Sequence, residues 1–373
     1  MDKKKHCRNA GIRRKHRRTG RRCDTDRWKL PMTPRHFPNT GRKQRGLTLI
    51  ELLVALGLGL LVVVIAATAL LLGQQGYRSV DTTTQLRDRE RFATDLLTRV
   101  IIQAGYQDLG AANVSLRSTA KLLGNDPEPD IYGWNNAVYK QPDDLILSTG
   151  TKITNGNRPA SCTVNDTSCK NGSDVLLVRY QGVNSPTDAA KPDNTMINCM
   201  GFGETGLTNG DLNDRAVSIF HVTRGTNGEP SLSCSYYNFV TGVWAGPAPM
   251  IEGVESFQVL FGTDGVSPAL APSATAVQDT VAERWLRADQ LTVAGNDAAT
   301  RENWRRVRAV RVGLVLRGSV GSAQQATTAT FTPLGSMYAS TNDTGSNLSV
   351  AADGRLRLQS TFTVHLRNDL TLR

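Results

Sequence analysis

The spacing of apolar residues changes character three times along the chain. Residues 1–46 have no apolar periodicity and carry Pro31, Pro34 and Pro38, the texture of a disordered segment outside any fold. Residues 52–72 then form an unbroken run of 21 without one charged side chain. As a helix rising about 1.5 Å per residue, that run spans roughly 30 Å, the thickness of a bilayer core. Beyond Gly73 polar residues return, but Phe92, Leu96, Leu97, Val100, Ile101 and Ala104 recur at spacings of three and four. That repeat predicts one apolar stripe on a continuing helix. Arg91, Asp95 and Arg99 follow each other four apart on the other side, and Gly105 supplies a stop. One helix over about 47–104 is expected, its first half in lipid and its second packed against a fold. Gly57, Gly59, Gly73 and Gly76 are places where it can bend.

After Tyr106 the period shortens to two. Clusters of Asn, Gly, Pro, Asp and Thr separate short β-like runs, of which six stand out: 174–180, 216–222, 231–237, 254–261, 307–317 and 355–367. In the fourth, Phe257, Val259 and Phe261 fall on one face, which predicts an antiparallel sheet with one wet face. Its dry face is expected to rest on the 92–104 stripe. Helix first and sheet afterwards gives an α+β class. The chain divides accordingly into a basic leader (1–46), a membrane helix (47–72), an amphipathic continuation (73–106) and a β-rich head (107–373).

Charge sharpens this division. The net charge of +11 is misleading: residues 1–46 hold 17 Lys+Arg against 3 Asp, and the other 327 residues hold 27 Lys+Arg against 30 Asp+Glu. The head is slightly acidic and no nucleic-acid contact is expected of it. The basic arm fits the cytoplasmic flank of a single span. Met32 is an alternative start that would leave a leader of 15 residues ending at Gly46. A cleaved secretory signal fits poorly, because its apolar core is normally about 7–15 residues.

Cysteines follow the same partition, with Cys7 and Cys23 in the arm and Cys162, Cys169, Cys199 and Cys234 in the head. Four cysteines allow three pairings; Cys162–Cys169 and Cys199–Cys234 are favoured, with free buried thiols as the alternative. No Cys-x-x-Cys occurs, the histidines are scattered, and neither a metal nor a cofactor is expected. Phosphate-loop, nucleophile-elbow and zinc-protease motifs are missing too. His221 reads as a half-buried sheet residue and Asp264 as a turn residue rather than a Ca²⁺ ligand. Asn165 and Asn342 match the glycosylation pattern, which this signal gives no reason to use.

The candidate chemistry lies at the mouth of the apolar run. Arg42, Lys43 and Arg45 hold the flank at an anionic leaflet, Gly46 offers a small residue before an accessible bond, and Glu51 is a lone acid at the entrance of a membrane helix. An intramembrane carboxylate is expensive unless paired. A cut at Gly46–Leu47 would create an amine on Leu47 that the Glu51 of a neighbouring copy can pair with. The plainer reading is that Glu51 reaches the headgroups of a simple anchor.

Residues 46–56, Gly-Leu-Thr-Leu-Ile-Glu-Leu-Leu-Val-Ala-Leu, resemble the type III signal of type IV prepilins and type II secretion pseudopilins. The resemblance implies that a prepilin peptidase cuts after Gly46 and methylates Leu47, although the family usually has Phe where this chain has Leu47. Further segments are similar to PilW-type minor pilins, in the same order: Arg91-Phe92-Ala93 with Ala104-Gly105-Tyr106, residues 173–180, Leu232-Ser233-Cys234, residues 251–257, Trp304 with 307–312, and Leu366-Arg367-Asn368. The long leader departs from that pattern.

By implication the fold is type IV pilin-like, and the protein is a non-enzymatic minor pilin that helps initiate pilus assembly near the tip. Motility, adhesion or DNA uptake would follow from that role. Implied partners are the prepilin peptidase, other minor pilins, the major pilin, inner-membrane lipid and a tip adhesin. The implied location is the inner membrane, N-terminus cytoplasmic and C-terminus periplasmic, then the pilus surface. Two alternatives stay open: a type II secretion pseudopilin, and a membrane-anchored periplasmic enzyme or binding domain with its leader uncut.

Overall fold

The computed structural model describes residues 46–107, 128–140, 153–156, 171–206, 215–225, 227–238, 243–273 and 278–368. Cys7, Cys23, Cys162, Cys169 and Asn165 lie outside these. The chain falls into two units, residues 1–62 and 63–373. From Gly46 onwards the described part of the first unit is the opening of helix α1, Leu49–Ile101, a run of 53 residues. Leu is by far its commonest residue and no proline occurs between Pro38 and Pro127, so nothing interrupts the ladder of backbone bonds. Among the described residues this is the one helix long and apolar enough to cross a membrane.

In the second unit α1 buries Thr82, Leu86, Ala93, Leu97, Val100 and Ile101. The buried stripe differs from the expected one at two positions, Leu96 being only half-buried against the core. Phe92 is 52% exposed, and Ala93 occupies the core in its place. The spacing admits either residue; the small side chain wins because it lets the helix axis come close to the strands behind it. Past Ile101 the chain makes one more turn to Gly105, whose φ of +72° ends the helix as expected.

The strands are β1 (Ile131–Trp134), β2 (Val175–Tyr180), β3 (Asn184–Ser185), β4 (Asp188–Pro192), β5 (Ala216–Arg224), β6 (Pro230–Asn238), β7 (Val243–Glu252), β8 (Val254–Thr263), β9 (Arg284–Leu286), β10 (Val307–Arg317), β11 (Ala329–Phe331), β12 (Leu348–Val350) and β13 (Arg357–His365). Two short helices, α2 (Ala288–Leu291) and α3 (Asp297–Arg305), lie between β9 and β10. A five-stranded sheet runs β1-β2-β5-β6-β7, a four-stranded sheet runs β13-β10-β8-β9, and β11-β12 and β3-β4 form two-stranded ribbons. Every pairing is antiparallel. The architecture is α+β, and all six expected strands are present within a few residues.

One core joins the helix to both sheets. Leu86, Ala93, Leu97, Val100, Ile101 and Ala104 meet Leu176, Val178, Phe220, Val222 and Ile251 of one sheet and Phe257, Val310, Val312 and Leu314 of the other. The expected wet face is absent from the central strands: β2 and β8 are buried at every position. The outer face of the five-stranded sheet is covered, Val175, Leu177, Val217 and Ile219 clustering with Trp134, Ala137 and Ile153. On the four-stranded sheet Val315 is covered by Leu348 and Val350, with Ala329 and Phe331 alongside. Wet faces survive only at margins such as β13, where Gln359, Thr361, Thr363 and His365 are exposed.

The segment between β8 and β10 earns its length as a cover. Asn296 caps α3 by accepting from Ala299 N at 2.9 Å. That helix delivers Trp304 into the core, stacked 4.4 Å from Tyr132 and edge-on to Phe261 at 4.6 Å.

Candidate functional site

The start of α1 is laid out by three residues. Gly46 and Leu47 precede the helix and are exposed, Leu47 by 71%, and no heavy atom from elsewhere in the chain would crowd a Cβ on Gly46. Thr48 is the residue before the first helical one, and its hydroxyl oxygen accepts from the backbone N–H of Glu51 at 3.3 Å. Thr48-x-x-Glu51 thus reads as an N-terminal capping sequence, a signal the run of leucines hides. It fixes where helix begins and leaves the Gly46–Leu47 bond in non-helical chain.

The Glu51 carboxylate is exposed and has no hydrogen bond or ion pair among the described residues. Its place in the first helical turn puts a negative charge beside unpaired backbone N–H groups, which favours it by about 0.3–1 kcal/mol. That is far less than the cost of burying it unpaired. Residues 46–75 are all exposed in the isolated chain, as a segment built for an apolar surrounding must be.

At its other end α1 is fastened to the head by side-chain amides. Gln103 is buried and pairs with Ile197 in both directions: its Nε2 donates to the Ile197 carbonyl at 3.0 Å, and its Oε1 accepts from Ile197 N at 2.8 Å. Tyr180 donates its hydroxyl to the same carbonyl at 2.7 Å. Asn368 Nδ2 donates to the carbonyls of Ile102 and Ala104, satisfying acceptors that a helix end leaves open. Neither Gln103 nor Asn368 stands out in the sequence as a fastener.

Ile197 belongs to a loop tied down twice more. Cys199 and Cys234 form a disulfide with Cα atoms 5.9 Å apart, joining this loop to β6. Asn198 closes the loop on itself, accepting from Met200 N and Phe202 N and donating to Glu204 Oε1 at 2.7 Å. Burial pushes the Glu204 carboxyl up to about 7, against the opposing pull of the Asn198 hydrogen bond.

Several charges elsewhere in the head are held in ion pairs. Arg317 and Arg355 both meet Glu229, whose carboxyl the two guanidiniums hold below its usual range despite partial burial. These residues, with Arg89 and Glu252, line a groove of about 260 Å³ beside Thr82 and Leu86. Arg357 bridges Glu255 and Asp353. Arg215 pairs with Asp130, and beside it Arg179 is pulled down to about 10 by burial first and by the Arg215 charge second.

His221 is wholly buried, more than expected, stacked 3.9 Å from Tyr139 and within 3.1 Å of Ser235 Oγ. Asp264 lies in the bend after β8, as expected, and is buried there against Arg308 at 3.3 Å in a structural ion pair. Among the described residues no group of His, Cys, Asp and Glu is arranged to hold a metal.

A long apolar helix with a glycine-led start and a head of antiparallel sheets packed on the helix's second half make an α+β, type IV pilin-like architecture, with one helix long and apolar enough to cross a membrane. The comparisons with known proteins narrow the class. Residues 41–67 match the prokaryotic N-terminal methylation motif, and residues 219–368 match PilW, the type IV pilus-assembly protein W. The chain therefore carries a region similar to PilW behind a methylation motif. Among solved structures, the type IV-like pilin TTHA1219 from Thermus thermophilus is 13% identical, with a TM-score of 0.32 over 76% of this chain and 96% of that one. No curated protein matches the chain.

Proposed function

We propose that this protein is a minor pilin, cut between Gly46 and Leu47 and methylated on Leu47, that takes part in starting a type IV pilus and stays near its tip. In this reading residues 1–46 are a cytoplasmic leader, 47–72 the span and later the filament core, 73–106 the continuation of the helix and 107–373 a head in the periplasm and then on the pilus surface. The prepilin peptidase, other minor pilins, the major pilin and inner-membrane lipid are its partners, and a tip adhesin is a further one. The observation that carries the reading is Glu51, an acid at the exposed start of a lipid-length helix with no partner among the described residues.

In the filament the amine of Leu47 on a neighbouring subunit neutralises Glu51. Losing one member of a buried charge pair costs about 3–5 kcal/mol, enough to decide whether a subunit seats in register. Three other features support the reading: Thr48 keeps the scissile bond outside the helix, the 41–67 match covers the site, and the 219–368 match covers much of the head.

N-terminal mass analysis of the protein recovered from membranes tests the cut and the methyl group together. Gly46→Ala should leave a heavier, unprocessed chain that still inserts. Glu51→Ala should be cut and inserted yet be scarce in sheared filaments. A protein whose N-terminus still lies upstream of Leu47 in cells overturns the reading.

A further inference from the structure

The two large sheets have four edges, and three are blunted. β1 has 4 residues and β9 has 3. β7 is longer, but Pro247 and Pro249 lack N–H groups, and its pairing with β6 shifts register twice. Short strands, prolines and irregular pairing are the usual ways of keeping an edge from recruiting another strand. β13 has none of them: 9 residues, no proline, and an unbroken register against β10 from Ala309–His365 to Arg317–Arg357.

The direction of its backbone groups follows from one bond. Leu366 donates its N–H to the Arg308 carbonyl at 2.9 Å, and bonded pairs alternate along an antiparallel ladder. Leu358, Ser360, Phe362 and Val364 therefore turn their backbone toward β10, while Gln359, Thr361, Thr363 and His365 turn theirs to the open edge. No hydrogen bond from those four N–H groups is formed among the described residues.

Charge says what kind of strand fits. Residues 355–367 contain three Arg and one His and no acid. Arg355 and Arg357 are spent on Glu229, Glu255 and Asp353. Arg367 and His365 are exposed with no acidic partner among the described residues, and Arg311 lies alongside, 4.1 Å over the Trp285 ring with its Nε near Thr363 Oγ1. A second copy of β13 added in parallel would set Arg367 beside Arg367, and one added antiparallel would bring no acid to it.

We propose that β13 is an acceptor edge for strand addition, and that its partner is an extended, acid-bearing strand of a different protein. Main-chain bonds to residues 359–365 would give affinity, and acids opposite His365 and Arg367 would give register and choice of partner. The inference goes beyond the pilin reading and does not depend on cleavage at Gly46.

The test uses the full chain in detergent and follows hydrogen exchange of individual backbone amides. Three peptides the length of β13 serve as probes: one alternating glutamate with valine and threonine, the same peptide with lysine for glutamate, and one with β13's own sequence. The glutamate peptide should slow exchange at Thr361, Thr363 and His365 and leave Ser360 and Phe362, already bonded to β10, unchanged. Thr363→Pro removes an outward N–H without touching the ladder, and that protection should be lost. Arg367→Glu, an exposed change that leaves the fold alone, should weaken the glutamate peptide about two- to fivefold and strengthen the lysine one. Equal exchange with and without the glutamate peptide overturns the proposal. Tighter binding of the β13 peptide overturns it in favour of a second copy.

Discussion

The two halves of α1 share one conformation and owe it to different causes. Residues 49–75 are exposed on every side, and their apolar character has no preferred face. In lipid such a segment is helical because hydrocarbon offers no other partner for its backbone groups. Residues 82–101 alternate between solvent and core, and what holds them is the packing of Leu86, Ala93, Leu97, Val100 and Ile101 on two sheets. Leucine content therefore says little about how a stretch of this helix is stabilised. The face that leucine occupies says nearly everything.

The sharpest way to break this comparison is to truncate one leucine in each half. Leu97 is fully buried, and Leu97→Ala should destabilise the head by about 2–5 kcal/mol, read from urea unfolding of the full chain in detergent. Leu61→Ala in the same assay should leave the unfolding midpoint where it was. Equal losses would mean that the halves are one cooperative body. A smaller effect concerns the loop that grips Gln103. Folding raises the Glu204 carboxyl from 4.5 to about 7, so the folded state holds that proton more tightly than the unfolded chain does. Stability from this group is full below about pH 4.5 and falls as pH rises through about 7, by on the order of 1–3 kcal/mol. Glu204→Gln should flatten that slope; an unchanged slope assigns it to other groups. The smallest effect is confined to the first half: Thr48→Ala should fray the helix start by about 1 kcal/mol, seen as faster amide exchange at Ile50 and Glu51. Head unfolding should not change.

Much of this was legible in the sequence, for reasons that differ by region. The long apolar helix showed itself because a run of 21 uncharged residues admits few other readings. β2, β5, β6, β8, β10 and β13 showed themselves through β-branched and aromatic runs. β7 did not, because Pro247 and Pro249 argue against a strand and are tolerated only at an edge. β1, β9, β11 and β12 are each too short to carry a period. Phe92 misled because helical spacing ranks large residues above small ones, whereas close helix–sheet approach selects Ala93. The second buried face of β10 was invisible for another reason: Val315 is covered by the β11–β12 ribbon arriving from further along the chain. At the candidate site, Gly46, Leu47 and Glu51 could be singled out by chemistry alone, while Thr48 passed as one more residue of the apolar flank.

Asn368 adds a temporal constraint. Its amide supplies hydrogen bonds to Ile102 and Ala104 across 266 and 264 residues of intervening chain. The final turn of α1 cannot be sealed while the ribosome is still making the strands that follow it. Loop closure over such a distance is a late event, so the amphipathic half of the rod waits, incompletely clasped, until Asn368 itself has been synthesised.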